Sequence, residues 1–233
     1  GQFRRLTALA LALCMLAALT AEIFAADIIA SGYCGGEGDG RNLTWSLDSA
    51  GTLTISGKGK MKDFDWYSDR CPWLDKVKTA IIEDGVTRIG NVAFGGAYYG
   101  YLRNVVIPDS VTSIGEDAFE SCIKLTNIEI PDSVTSIERG AFSKSGLTSV
   151  TIPNSLTKIE EYAFFYCKSL ASVTIPNSVT SIARSAFSGC DSLTSVTIPN
   201  SVTSIENSIF SGKNLTSIVV SPDNPVYDSR NGC

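Results

Sequence analysis

Residues 147–169 read LTSVTIPNSLTKIEEYAFFYCKS, and this stretch decides the fold. It nearly recurs 23 residues later as LASVTIPNSVTSIARSAFSGCDS, and the same frame begins at Leu125 and Leu102. A fixed period of this length predicts a solenoid, whose units each leave an apolar face for the next one to cover.

Numbered from its leading Leu, the unit separates into columns. Position one holds Val77, Leu102, Leu125, Leu147, Leu170, Leu193 and Leu215. Positions four and six are aliphatic, as in Val150 and Ile152, and alternation places them on one face of a strand. Position seven is Pro108, Pro131, Pro153, Pro176 or Pro199, and proline, having no N–H, should stop the strand at position six. Ser110 and its equivalents at position nine suit a turn, where a hydroxyl bonds nearby backbone. Apolar residues follow at ten and thirteen. An Ala-Phe pair then closes the unit, with Phe94, Phe119, Phe142, Phe164, Phe187 and Phe210 in one column. Stacked coils bury this set, and strands spaced at about 4.8 Å make six coils roughly 25–30 Å long.

The pattern LxxVxIPxSVTSIxxxAFxxC resembles the BspA-like subfamily of leucine-rich repeat proteins over roughly residues 77–220. Residues 32–76 also look like the domain that often precedes such arrays. The resemblance implies an α/β-type but mostly β leucine-rich-repeat solenoid: a right-handed, parallel-sheet stack. Members are found mainly on bacterial surfaces and are associated with adhesion to host extracellular proteins or to other cells. The family brings no catalytic residues and no cofactor.

Residues 1–26 read as a secretory signal, with Arg4 and Arg5 ahead of an apolar run and Ala25 and Ala26 for cleavage. The run is short for a membrane span, so no insertion is expected of the mature chain. Residues 27–76 are expected to form a β-rich cap: Leu43, Trp45 and Leu47 alternate with polar residues, as do Leu53 and Ile55 beyond a turn at 48–51. Residues 77–220 are the solenoid. The pattern alters at 221–233, which reads as the start of a further segment of a longer protein.

The formal charge of −5 becomes −6 once the signal, with two arginines and Glu22, is removed. An acidic chain is a poor partner for nucleic acid or anionic membrane. It has no histidine, so His-dependent triads and zinc sites are excluded. The cysteines form no CxxC pair. Cys122, Cys167 and Cys190 recur three residues after a phenylalanine, and the repeats from Leu125 and Leu193, which lack this cysteine, are one residue short. The column is read as small apolar plugs in a buried turn. A Cys34–Cys71 bridge stays open in an exported chain. Glu116, Asp117, Glu138, Glu160, Glu161 and Glu206 recur just past position thirteen and are read as solvated turn carboxylates.

The expected function is a non-catalytic, secreted or cell-surface repeat protein that binds an extracellular protein or glycan. The alternative is a spacer presenting another domain, or the accessory array of a larger enzyme. Exposed hydroxyls at Thr126, Thr148, Thr151, Thr174 and Thr197 would supply many weak contacts along the strands. Specific anchoring needs residues such as Tyr, Trp and Arg. The dense aromatic group outside the columns is N-terminal, at Trp66, Tyr67, Trp73, Tyr98, Tyr99 and Tyr101, with Arg103 beside Lys78 of the preceding coil. Either these aromatics seal the cap, or Tyr98, Tyr99, Tyr101 and Arg103 contact a ligand.

Overall fold

The computed structural model describes residues 26–96 and 101–228. They form a mostly strand solenoid with no helix among the described residues. It opens with β1 (Ile28–Tyr33), β2 (Leu43–Asp48) and β3 (Thr52–Gly57), joined in antiparallel order. The turn between β2 and β3 is tied by the Asp48 carboxylate, which accepts from the Thr52 amide at 2.7 Å. From β3 onward pairing turns parallel, first to Thr79–Ile82 and then to Asn104–Val106. Later coils repeat it, Ser149–Thr151 with Ser172–Thr174 and Ser195–Ile198 with Ser217–Val220.

The strands end at position five or six, ahead of the prolines, as expected. A second ladder follows in each coil that the columns did not announce. Ser113–Ile114 pairs with Ser136–Ile137, and Lys158–Ile159 pairs with Ser181–Ile182, which in turn pairs with Ser204–Ile205. The position-nine serines also depart from expectation. Ser110, Ser133 and Ser155 donate not to nearby backbone but to carbonyls of the preceding coil, those of Val86, Val111 and Val134.

The phenylalanine column is a continuous stack. Phe94, Phe119, Phe142, Phe164 and Phe187 are buried, with consecutive ring centroids 5.2–5.5 Å apart and planes within 4°. Around each ring the backbone makes an arc with a left-handed residue two places before it and another two places after in most coils. Asp117 (φ 52°) and Ser121 (φ 60°) flank Phe119, and Tyr162 (φ 58°) and Tyr166 (φ 55°) flank Phe164. Val92 takes the same role at φ 54°, a costly conformation for a β-branched residue.

The arcs bond in one direction only. The amides of Asp117, Phe119 and Ser121 donate to Arg139, Ala141 and Ser143 of the following coil at 3.0, 2.7 and 2.8 Å. The same three bonds join the next coils, from Gly140, Phe142 and Lys144 and from Tyr162, Phe164 and Tyr166. The first coil therefore presents carbonyls with no preceding arc to fill them. The N-terminal segment supplies the donors. Phe64 gives its amide to Asn91 at 3.0 Å, and Trp73 gives its indole Nε1–H to Ala93 at 2.9 Å. Trp73 is fully buried between Trp45, Phe64 and Phe94, where a preceding phenylalanine would stand. Trp73 thus seals the first coil, as one of the two sequence readings required, with Phe64 packed against it.

Cys122, Cys167 and Cys190 are buried free thiols, and each is more than a plug. Their Sγ–H groups donate to Phe94, Phe142 and Phe164 of the preceding coil at 3.3, 3.0 and 3.3 Å. Burial pushes the Cys167 thiol up to about 11 and the Cys122 and Cys190 thiols higher. Cys34 and Cys71 are likewise buried and unbridged.

Candidate ligand-binding face

Alternation along the strands turns positions two, three and five outward, so the coils share one exposed face. Thr126, Thr148, Thr151, Thr174 and Thr197 all lie exposed on it. They are not chemically equivalent. Thr148 spends its hydroxyl on the Thr126 carbonyl, at 3.1 Å, which also takes its amide at 3.0 Å. Thr151 and Thr174 pair in register at position five and, with Thr197, keep hydroxyls that bond no other described residue. The Thr148 hydroxyl is thus committed to the array, whereas those of the position-five column stay open to a ligand.

The face changes character at its N-terminal end. Arg103 is exposed, and its amide donates to the Lys78 carbonyl at 2.8 Å, which sets the two outward cations side by side. Tyr101 is 40% exposed, with the Lys124 ammonium 5.3 Å from its ring centre. Tyr98 and Tyr99 lie outside the described residues. Ile81 and Val106 pair in register on the outward side, Val106 being 54% exposed. Sequence reading passed over both because they extend the apolar run of their strands. Their position-five parity was the available signal.

The N-terminal aromatics divide. Trp73 and Phe64 belong to the core, and Trp66 packs against it beside Gly95 and Gly96. Tyr67 is 92% exposed on a loop whose turn is held by the Asp65 carboxylate accepting from the amides of Tyr67 and Ser68. A second aromatic group, missed in the sequence, stands on the arc side. Phe165 packs between Tyr162 and Tyr166, at 5.1 and 4.5 Å, and Arg139 lies over Tyr162. The signal was the run EYAFFYCK at 161–168, which adds three rings around the column phenylalanine.

The recurring carboxylates lie on the arc side and are partly paired. Arg139 reaches Glu116 at 2.8 Å and Glu161 at 3.6 Å, and Lys158 reaches Glu160 at 2.8 Å. Arg88 joins Asp63 of the N-terminal segment to Glu138 two coils on. Asp117 is the exception. Burial, with Glu120 and Glu116 nearby, pushes its carboxyl up to about 6. No group of three or more His, Cys, Asp or Glu side chains among the described residues could hold a metal ion. No helix there is long and apolar enough to cross a membrane.

The stacked ladders, with one proline and one Ala-Phe arc in most coils, form the frame against which known proteins compare. The model of the BspA type leucine-rich repeat region matches residues 87–216 in six copies. The chain belongs to the BspA-type leucine-rich repeat family. Solved relatives agree in fold. A leucine-rich cell surface protein from Faecalibacterium prausnitzii is 32% identical, with a TM-score of 0.66 over 84% of this chain and 56% of its own. A leucine-rich repeat protein from Eubacterium ventriosum is 28% identical, at 0.57 over 87% and 47%. One from Bacteroides ovatus is 25% identical, at 0.64 over 88% and 55%. The chain thus spans about half the length of these leucine-rich relatives. No curated protein matches it.

Proposed function

We propose that this protein is a secreted or cell-surface repeat protein that binds an extracellular protein or glycan through its strand face, without catalysis. The observation that carries the reading is the face itself. It is built on a stacked core and offers exposed hydroxyls along position five, with Arg103, Tyr101, Ile81 and Val106 grouped at one end. A rigid scaffold of this kind contributes little ordering cost to association. The family, and the cell-surface description of the F. prausnitzii relative, support the location.

The test uses the full chain immobilised against a panel of extracellular matrix proteins and a glycan array. Thr174→Trp with Thr197→Trp would place two bulky rings on the strand face without entering the core. Capture of a panel member that this double variant loses supports the reading. Capture of nothing, or equal capture by the variant, returns the spacer role.

A further inference from the structure

We infer that the first three coils hold a site for an acidic polypeptide segment that carries an apolar side chain next to its carboxylates. This rests on the strand face being a binding surface and names the partner class.

Lys76, Lys78, Arg103 and Lys124 occupy positions zero and two of three successive coils. None of the four has an ion-pair partner among the described residues. Asp75 adjoins Lys76 in the chain but pairs with none of them. Equivalent positions of neighbouring coils stand about 4.8 Å apart, so the charges gather at the entrance to the strands. On the arc side, by contrast, Arg88, Arg139 and Lys144 all face carboxylates. Four uncompensated cations on a chain of net charge −5 reverse the sign of the field locally. Two of them are also held in place. The stem of Lys78 lies over Gly51, where an added Cβ would meet its Cγ at 3.1 Å, and Lys124 rests over Tyr101.

Three residues further along the strands, roughly 10 Å away, Ile81 and Val106 stand outward side by side. Beyond them Glu83, Asp84 and Asp109 are exposed. In the first two coils the surface therefore reads basic, apolar, then acidic along the strand direction, and in the third the exposed Glu129 takes the position of Ile81 and Val106 and bounds the apolar zone. A sulfated glycan would answer the cations but leave Ile81 and Val106 without a role and meet repulsion at the acidic end. A polypeptide answers all three zones. Its carboxylates meet Lys78 and the guanidinium fork of Arg103, which takes a carboxylate through two N–H groups. Its apolar side chain then covers Ile81 and Val106.

The test measures fluorescence anisotropy of the full chain with a synthetic peptide of consecutive glutamates followed by a leucine. A glutamine-for-glutamate peptide, a serine-for-leucine peptide and dextran sulfate serve as comparisons. Lys78→Glu with Arg103→Glu should weaken the glutamate–leucine peptide by about tenfold or more and flatten its salt dependence. Val106→Ser should weaken it about threefold to tenfold. Arg184→Glu, on the arc side, should leave it unchanged. Thermal melts of each variant establish that it is folded. Three results would overturn the inference: no binding of the glutamate–leucine peptide, equal binding of the glutamine peptide, or tight dextran sulfate binding indifferent to Val106→Ser. Capture of a matrix protein that survives Lys78→Glu with Arg103→Glu but not the Thr174 and Thr197 block would remove the acidic partner alone and keep the strand face.

Discussion

Trp73 donates its indole N–H to the carbonyl of Ala93 at 2.9 Å, the bond that the amide of a preceding phenylalanine makes in every later coil. The N-terminal segment closes the solenoid by imitating a coil it does not contain. Trp73→Phe keeps a ring in the stack but orphans a buried carbonyl. A loss of about 1–3 kcal/mol is expected. Urea unfolding measures it, and hydrogen exchange should place the loosened amides in the first coil.

Phe164 is buried with a ring on each face, at 5.5 Å from Phe142 and 5.3 Å from Phe187. Phe164→Ala should cost about 3–5 kcal/mol. In a one-dimensional array the damage is expected to be concentrated in neighbouring coils. Thermal unfolding unchanged by the substitution would contradict this placement.

The three thiols that donate to phenylalanine carbonyls are expected to resist a thiol reagent in the native state and to react on unfolding. Burial both shields them and holds them protonated. Rapid native labelling of Cys122, Cys167 or Cys190 would show that the turn opens.

Two equivalent serines should respond oppositely. The Ser133 hydroxyl donates to Val111 at 2.7 Å, whereas the buried Ser178 hydroxyl has no partner among the described residues. Ser133→Ala should destabilise by about 1 kcal/mol, and Ser178→Ala should be neutral or stabilising. Equal losses in parallel melts would refute the distinction.

Asp117 carries a pH dependence. Its carboxyl binds a proton more tightly folded than unfolded, so its favourable contribution is complete below about pH 4 and is lost as pH rises through about 6. Asp117→Asn should therefore stabilise near neutrality, by about 1 kcal/mol after screening by solvent, and bring no gain below about pH 4. Melts across that range decide it.

The regular part of this molecule was legible because each column repeats one physical demand. A phenylalanine recurring at one register must be core, and a proline at one register must end a strand. Single occurrences were harder. Trp73 breaks the period, so only the spatial stack shows that it stands in for a phenylalanine. Ile81 and Val106 differ from buried neighbours by parity alone. The two-residue ladders at Ser113–Ile114 and its equivalents are too short to leave a pattern of their own. The hydroxyls of Thr148 and Thr151 look alike in sequence, and their different fates depend on which carbonyl the preceding coil brings near.

The one-way bonding of the phenylalanine arcs gives the array a heritable grammar. Every arc offers amides forward and carbonyls backward, so a tandem copy of one unit meets its neighbours with the arc bonds already in place. A duplication or deletion of one whole unit keeps the reading frame and restores the arc bonds it severs. Array length can therefore drift by unequal recombination at little structural cost. The segment around Trp73 cannot be shuffled in the same way, because its donors fit only a coil with no predecessor.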